Sequence, residues 1–565
     1  MKFSEMKYIR PELEECKRTA GEIIASFRDA DSFSAAEKAF LEWDSFSSHI
    51  ETMISLAMVR NTIDTTDKFY EDEVEYIDSM TPELSAVRQD FTRLLAESPF
   101  RAELEEKYGK LMFINGDIFL RSFSPEIISE TAETNKLETA YQKLIASAQI
   151  PFEGENRTLS QMNPFKQSPD DKLRKEAWKA EGLFYSENSR ELDEIFDKMV
   201  SLRTQMAKKL GYDNFVSLGY LQMTRNCYEP EDISRFREAV VRYIVPIAEE
   251  LYRAQAKRIG AEYPMTFADA ALRFRDGNPI PQGNAEDILE TSKKLYHSLS
   301  GETSEFIDMM FENELMDVLS KKGKAGGGYC TEFPDYGVPF IFSNFNGTAD
   351  DVEVMTHEAG HAFAFYTARN IIPSDNKCPS LDACEIHSMT MEFFGWKMSD
   401  EYFGRDAAKF RYNHLFSAVT FVPYGAMVDH FQHIIYEKPE LSPEERHEVW
   451  RRLMGVYMPW IKLDGSVFYG EGKGWQRQLH IYENPFYYID YCLAQTAALE
   501  FWVIMQSDHD EAWERYMRLV RKAGTMTFTE LLQTAGLRSP FDEECLREVA
   551  EAAGKWLGNN DITAG

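Results

Sequence analysis

Val352 to Arg369 reads VEVMTHEAGHAFAFYTAR. Met355, Ala359, Ala362, Phe363 and Tyr366 are apolar or aromatic, and no proline intervenes before Pro373, so the pattern predicts one uninterrupted helix. Asp350 and Asp351 stand where a helix N-terminus favours negative charge. Inside the stretch lies His357-Glu358-Ala359-Gly360-His361. Residues four apart share a helix face one turn apart, so the two imidazoles can aim at a single metal ion. Glu358 follows the first histidine, close enough to reach a water on that ion without binding the metal itself.

A catalytic zinc keeps three protein ligands and one open position. A third histidine in the metzincin spacing is excluded, because Ala364 and Thr367 occupy the glycine and histidine positions. Asp382 to Trp396 (DACEIHSMTMEFFGW) reads as a second helix with Glu385, Ser388, Met389 and Glu392 on one face. His387 falls on another face and is a poor partner for Glu385. Glu385 and Glu392 are therefore the candidates for the third ligand.

Working outward, helical patterns dominate. Leu192, Ile195, Phe196, Met199, Leu202, Met206 and Leu210 mark one buried helix face. Thr81-Pro82-Glu83, Ser168-Pro169-Asp170 and Ser442-Pro443-Glu444 each read as a capping hydroxyl before a first-turn proline, hence as helix starts. Pro151 to Pro169 reads as a connection after an N-terminal helical lobe, and Arg273 to Asn284 as a loop. Lys321 to Gly328 (KKGKAGGG) breaks the helical pattern. Tyr329 to Thr348 then alternates aromatics with turn residues, which predicts a short sheet or hairpin. It stands either as a wall of the site or as plain packing. Tyr336 to Asn346 is the part expected to offer backbone groups to an extended peptide.

The chain of 565 residues is too long for one core of roughly 250–300 residues, so two or more lobes are expected. Its net charge of −32 repels nucleic acid and anionic membrane surfaces. The 7 cysteines are scattered without a CxxC pair, which fits reduced thiols in a cytoplasmic protein rather than a disulfide framework. The start, MKFSEMKYIRPELEEC, is too polar for a secretory signal, and no run suits a spanning helix.

His-Glu-x-Gly-His, followed by the segment Glu385-Ile386-His387-Ser388-Met389-Thr390-Met391-Glu392, resembles the M3 metallopeptidases, the thimet oligopeptidase and oligoendopeptidase F group. The resemblance implies that Glu385 is the third zinc ligand and that Glu392 lies just outside the ligand set. Gly470 to Gln495 (GEGKGWQRQLHIYENPFYYIDYCLAQ) is similar to that family's glycine-rich loop, histidine and tyrosine pair. By that likeness His480, Tyr488 and Tyr491 face substrate across the zinc. Tyr487 and Tyr482 are the alternatives, because the gap after His480 leaves the register open. Read from the residues alone, Tyr488 and Tyr491 share a helix face, and a phenol with pKa near 10 is a neutral donor suited to an oxyanion. Core packing is the rival reading for Phe486-Tyr487-Tyr488. Gly470, Gly472 and Gly474 read either as a loop that closes over peptide or as a surface turn.

The likeness covers Arg190 to Leu532, including Leu210-Gly211-Tyr212-Asp213-Asn214-Phe215. It implies a mainly α fold: two helical lobes around a deep substrate channel, with a small sheet beside the zinc helix. It divides the chain into an N-terminal helical lobe, 1–165, and a catalytic domain, 166–565. It also implies one zinc per chain and cleavage of internal bonds in short unstructured peptides, with Glu358 as general base. A zinc carboxypeptidase or dipeptidyl carboxypeptidase on a similar fold is the nearest rival, and a peptide-binding protein with a vestigial metal site the more distant one. No nucleic-acid or membrane partner is expected. A homo-oligomer is left open.

Overall fold

A computed structural model describes residues 1–463 and 465–561. Helices dominate it, as expected for a mainly α fold, and the strands form two small sheets. Among the described residues no helix is long and apolar enough to cross a membrane.

The helix Asp171–Lys209 buries Leu192, Ile195, Phe196, Met199 and Met206, so the sequence period marks a real core face. These residues join one large core that also contains the inner faces of Asp350–Ala368, Leu381–Phe394, Ala407–Glu437 and Tyr488–Met505. A separate, smaller core holds the N-terminal helices together through Phe27, Phe40, Trp43, Phe91 and Phe113. Helix Phe33–Ile63 contributes to both, since its far end sends Met53, Leu56 and Val59 into the large core.

The predicted helix starts fare differently. Ser442 caps Pro443–Tyr457 in a capping box closed by Glu445. The second start falls slightly later than expected, because the Asp170 carboxylate caps Asp171–Lys209. The third is overturned: Thr81-Pro82-Glu83 lies inside helix Lys68–Ala96, with Pro82 buried. Proline cannot supply the N–H that would reach Asp78, and Asn135 Nδ2 donates to the freed Asp78 carbonyl at 3.4 Å instead. A tertiary donor thus lets the helix run through a residue that reads as punctuation.

Of the polar connection, Ile150–Phe152 and Glu155–Arg157 form an antiparallel hairpin before helix Leu159–Lys166. Arg273 to Asn284 is irregular, as expected. The expected sheet is present with three strands. Val338–Phe345 lies in the middle, parallel to Met316–Leu319 and antiparallel to Tyr329–Phe333. Val338–Phe342 pairs with Tyr329–Phe333, while the pairing with Met316–Leu319 begins only at Ile341, which limits the expectation for Tyr336 to Asn346 to the backbone outside the doubly paired Ile341 and Phe342. The edge strand on that side is Tyr329–Phe333.

The central strand feeds directly into the helix of the histidine motif. Asp351 secures the corner by accepting from Asn346 N at 2.9 Å and Gly347 N at 2.7 Å, and Gly347 takes φ +88°, where glycine is favoured. The sheet thereby fixes where the motif helix begins, at Asp350, about two turns before its first histidine.

Candidate metal centre

The motif helix Asp350–Ala368 and the helix Leu381–Phe394 cross at Gly360. A Cβ there would stand 2.8 Å from both His387 O and Ser388 Cα. Only glycine lets the backbones approach this closely. The crossing brings the carboxylate of Glu385 to the two histidines. Glu385 Oε2 lies 3.2 Å from His357 Nε2 and 3.3 Å from His361 Nε2. His357, His361 and Glu385 are the one group of at least three such side chains, among the described residues, whose ligand atoms converge for a metal.

The hydrogen bonds behind the histidines test whether these three fit a cation. An indole N–H can only donate, so Trp396 Nε1, at 3.0 Å, makes His414 Nδ1 an acceptor. His414 Nε2 then carries a proton and donates to Glu392 Oε2 at 2.8 Å. The other oxygen of Glu392 accepts from His357 Nδ1 at 2.7 Å. A neutral His357 therefore turns a bare Nε2 lone pair toward a carboxylate oxygen. That contact is repulsive unless a proton or a metal ion stands between them. Zinc fits: bond lengths of about 2.0–2.2 Å in a tetrahedron separate ligand atoms by roughly 3.3–3.5 Å, close to the spacings seen. Glu385 is further fixed by Ser388 Oγ, which donates to Oε2 at 2.9 Å, and by Tyr487 OH, which donates to Oε1.

The electrostatics agree. Burial alone would raise the Glu385 pKa, but His361 and His357 hold it well below the ordinary carboxylate value. Burial alone would lower that of His357, but Glu385 and Glu392 push it well up. Glu358 is only 6% exposed, and its Oε2 has no hydrogen-bond partner among the described residues. Burial raises its pKa, opposed by His357 and His361. A buried carboxylate oxygen without a partner, beside three converging ligand-type atoms, is free to take up a proton.

The second part of the motif set lies across the cluster. Gln478 Nε2 donates to His480 Nδ1 at 2.8 Å, which leaves the His480 proton on Nε2, 3.4 Å from Tyr491 OH. Burial pushes the His480 pKa down to about 4, so its ring is neutral at pH 7. The rings of Tyr491 and Tyr487 lie 4.9 Å apart, tilted by 42°, and Tyr487 reaches Glu385 directly. Tyr488 instead packs on His480 at 4.8 Å and on Tyr424 at 5.9 Å, on the side of Gln478. Tyr482 is fully buried and stacks on Tyr141 at 4.0 Å, away from the cluster. His387 is buried without joining the ligand group, as its helix face predicts.

Phe486, just before these tyrosines, has φ +69°. Such strain costs on the order of 1–3 kcal/mol and persists only where the surroundings enforce it. The glycine-rich loop is crowded rather than open. A Cβ at Gly472 would come within 2.5 Å of His447 O, and one at Gly470 within 2.7 Å of Ser466 O.

Sequence reasoning misses His414 and Trp396, which set the His357 tautomer through Glu392. Nothing in their spacing relative to the motif signals this, since His414 comes from the helix Ala407–Glu437. Tyr487 enters the sequence reading only as an alternative, although its hydroxyl touches Glu385.

Comparison with known proteins follows the same lines. Residues 164–270 and 290–551 match the profile of Peptidase family M3, and residues 3–123 match that of the Peptidase M3 N-terminal domain. The solved structure of PZ peptidase A with inhibitor 2 superposes with a TM-score of 0.98 at 44% identity, covering 100% of both chains. Oligoendopeptidase F homolog of Borreliella burgdorferi (strain ATCC 35210 / DSM 4680 / CIP 102532 / B31) is 23% identical over 72% of this chain and 69% of its own length. Oligopeptidase PepF of Bacillus subtilis (strain 168) is 24% identical over 52% of this chain, an alignment that spans only 46% of that relative. The match over most of the chain, together with the ligand-like group on its two crossing helices, establishes that this chain belongs to peptidase family M3.

Proposed function

We propose that the chain is a zinc-dependent oligoendopeptidase that hydrolyses internal bonds of short, unstructured peptides. His357, His361 and Glu385 hold one zinc ion in this reading. When bound, zinc supplies Lewis acidity, lowering the pKa of a water toward about 7 and polarising the scissile carbonyl. Glu358 accepts the proton of the attacking water and returns it to the leaving amine. Neutral His480, through Nε2–H, and Tyr491 donate to the carbonyl oxygen as negative charge develops there; one such donor is worth about 10²–10³ in turnover. Tyr488 lines the same side. Tyr487 orients Glu385, and Glu392 with His414 orients His357.

A single observation carries this reading: a partnerless buried carboxylate, Glu358, stands beside three converging ligand atoms. Solvent beside the site supports a path for peptide, since Leu479, next to His480, is 38% exposed and Arg477 is exposed as well. The edge strand Tyr329–Phe333 supports pairing with an extended chain, and Gly328, at its start, lies against Glu358. We assign 1–165 to a helical lobe and 166–565 to the catalytic domain, a division that the separate family matches support; Asp464 and 562–565 of the latter lie outside the described residues. A cytoplasmic setting is supported by seven free cysteines.

The test is Glu358→Gln, assayed on a quenched peptide with and without chelator. Wild type cleaves internally and stops with chelator. The variant keeps its zinc and loses about 10³-fold or more in turnover. Near-normal turnover by the variant refutes Glu358 as base. Stepwise C-terminal loss in the product masses refutes the endopeptidase assignment.

A further inference from the structure

Two helices supply the parts of the proposed site that the histidine motif does not. Leu381–Phe394 carries Glu385, and Tyr488–Met505 begins at the tyrosines. They come from distant parts of the chain and pack closely against each other. Their relative placement at the site decides whether Tyr487 meets Glu385 and whether Tyr491 meets His480.

Arg225 lies where the two meet. It follows Thr224, whose φ is +54°, and its own N–H is anchored on Tyr220 O at 3.0 Å. Its side chain is 3% exposed. One guanidinium nitrogen, Nη2, contacts Asp490 Oδ1 at 2.5 Å and donates to Phe486 O at 2.9 Å. The other, Nη1, donates to Tyr228 OH at 2.5 Å and lies 3.7 Å from Asp382 Oδ2. Tyr228 OH in turn donates to Asp382 Oδ2 at 2.7 Å. Asp382 is one turn before Glu385 on its helix. Asp490 sits between Tyr488 and Tyr491 on theirs.

The third contact matters most. Phe486 is the strained residue that turns the chain into the tyrosine helix. Gln432 Oε1 accepts from its N–H at 2.9 Å, and Arg225 donates to its carbonyl. The left-handed conformation is thus clamped from both sides. The charge balance also points to this cation. Asp490 is fully buried, and neither of its oxygens accepts a well-formed hydrogen bond among the described residues, so Arg225 is its principal compensation.

We infer that Arg225 is a positioning residue: one guanidinium locks the Glu385 helix to the Phe486–Tyr491 turn and so sets the tyrosines against the metal cluster. A planar fork can hold two carboxylates and a carbonyl at once, which a lysine ammonium on its flexible stem cannot. The activity arm of the test rests on the peptidase reading; the metal-affinity arm does not.

The experiment uses the full chain with Arg225→Lys and Asp490→Asn, each alone and each combined with Tyr491→Phe. Turnover is read on a quenched peptide, and zinc affinity by competition with a chromogenic chelator. Arg225→Lys is expected to lower kcat by about 10–100-fold with KM held within about threefold, the usual effect of losing an outer partner. Adding Tyr491→Phe to it should cost clearly less than the product of the two single losses, because the part of the Arg225 effect that runs through the Tyr491 hydroxyl is already gone. Zinc affinity should fall about tenfold as Tyr487 loses its register on Glu385. Asp490→Asn should follow the same pattern, and it decides by the same criteria if Arg225→Lys does not fold. Independent, multiplying losses in the double variants overturn the inference. So does a lowered Tm with unchanged kcat and zinc affinity. A wild type without chelator-sensitive cleavage overturns the peptidase reading instead, and the zinc-affinity arm still judges Arg225.

Discussion

Glu385 and Glu392 stand two turns apart on one helix face, and their side chains face opposite ends of the same imidazole. Glu385 Oε2 meets Nε2 of both histidines, whereas Glu392 meets His357 Nδ1 and is itself held by His414. Helix periodicity could not separate them, because it reports the face of a residue and not its reach toward another element; in the sequence only the family resemblance singled out Glu385. The geometry now ranks them. Glu385→Ala should leave no stoichiometric zinc. Glu392→Ala should weaken zinc by about 10–100-fold, the range for losing an outer partner of a metal-bound histidine. Competition with a chromogenic chelator measures both, and the reverse order would make Glu392 the third ligand.

The crossing of the two site helices turns on Gly360, where helix propensity and tertiary packing make opposite demands. Replacing an interior helical glycine by alanine adds about 1 kcal/mol of intrinsic helix stability. Here the new methyl would meet backbone atoms of His387 and Ser388 at 2.8 Å, and backbone cannot swing aside as a side chain could. Overpacking of this kind costs about 1–3 kcal/mol. Gly360→Ala should therefore lower Tm and, by parting the histidines from Glu385, weaken zinc at least tenfold. A raised Tm with intact zinc affinity would show that the helices do not depend on this close approach. The same contrast explains what is legible in the sequence. The motif helix, the Glu385 helix and the sheet before them are readable because each carries its own local period or break. Pro82 reads wrongly as a helix start because the donor that rescues its helix, Asn135, lies in another element. His414 and Arg225 escape for that reason too, and Tyr487 is legible only as an alternative: their roles exist only where separate helices meet.

At the scale of the whole molecule, several opposing proton equilibria set how stability responds to acid. The net charge of −32 destabilises the compact state by self-repulsion, which acidification relieves. Glu138 and Glu483, raised by burial to about 7, also favour the folded state as pH falls from 7 toward 4.5. His433 works the other way. It is 5% exposed, it pairs with Tyr220 OH at 3.0 Å, and burial pushes its pKa down to about 4, with nearby Arg237 adding to the effect and Asp429 opposing it. The unfolded chain takes up this proton near pH 6.5 and the folded chain only near 4, so between those values the unfolded state binds more protons. The contribution of His433 is therefore complete above pH 6.5 and is lost as pH falls through 4. A tenfold difference in proton affinity between the two states is worth about 1.4 kcal/mol, so the loss is about 2 kcal/mol by pH 5 and about 3 kcal/mol below pH 4. His433→Gln can still bond to Tyr220 but takes no proton, and it leaves the carboxylates and the net charge at pH 7 unchanged. Urea unfolding of the metal-free proteins, wild type beside variant, isolates this contribution. The stability difference between them should stay flat from pH 8 to 6.5, then move by about 2 kcal/mol in favour of the variant by pH 5. A difference that does not change with pH would mean that His433 is protonated in the folded protein as readily as in the unfolded chain.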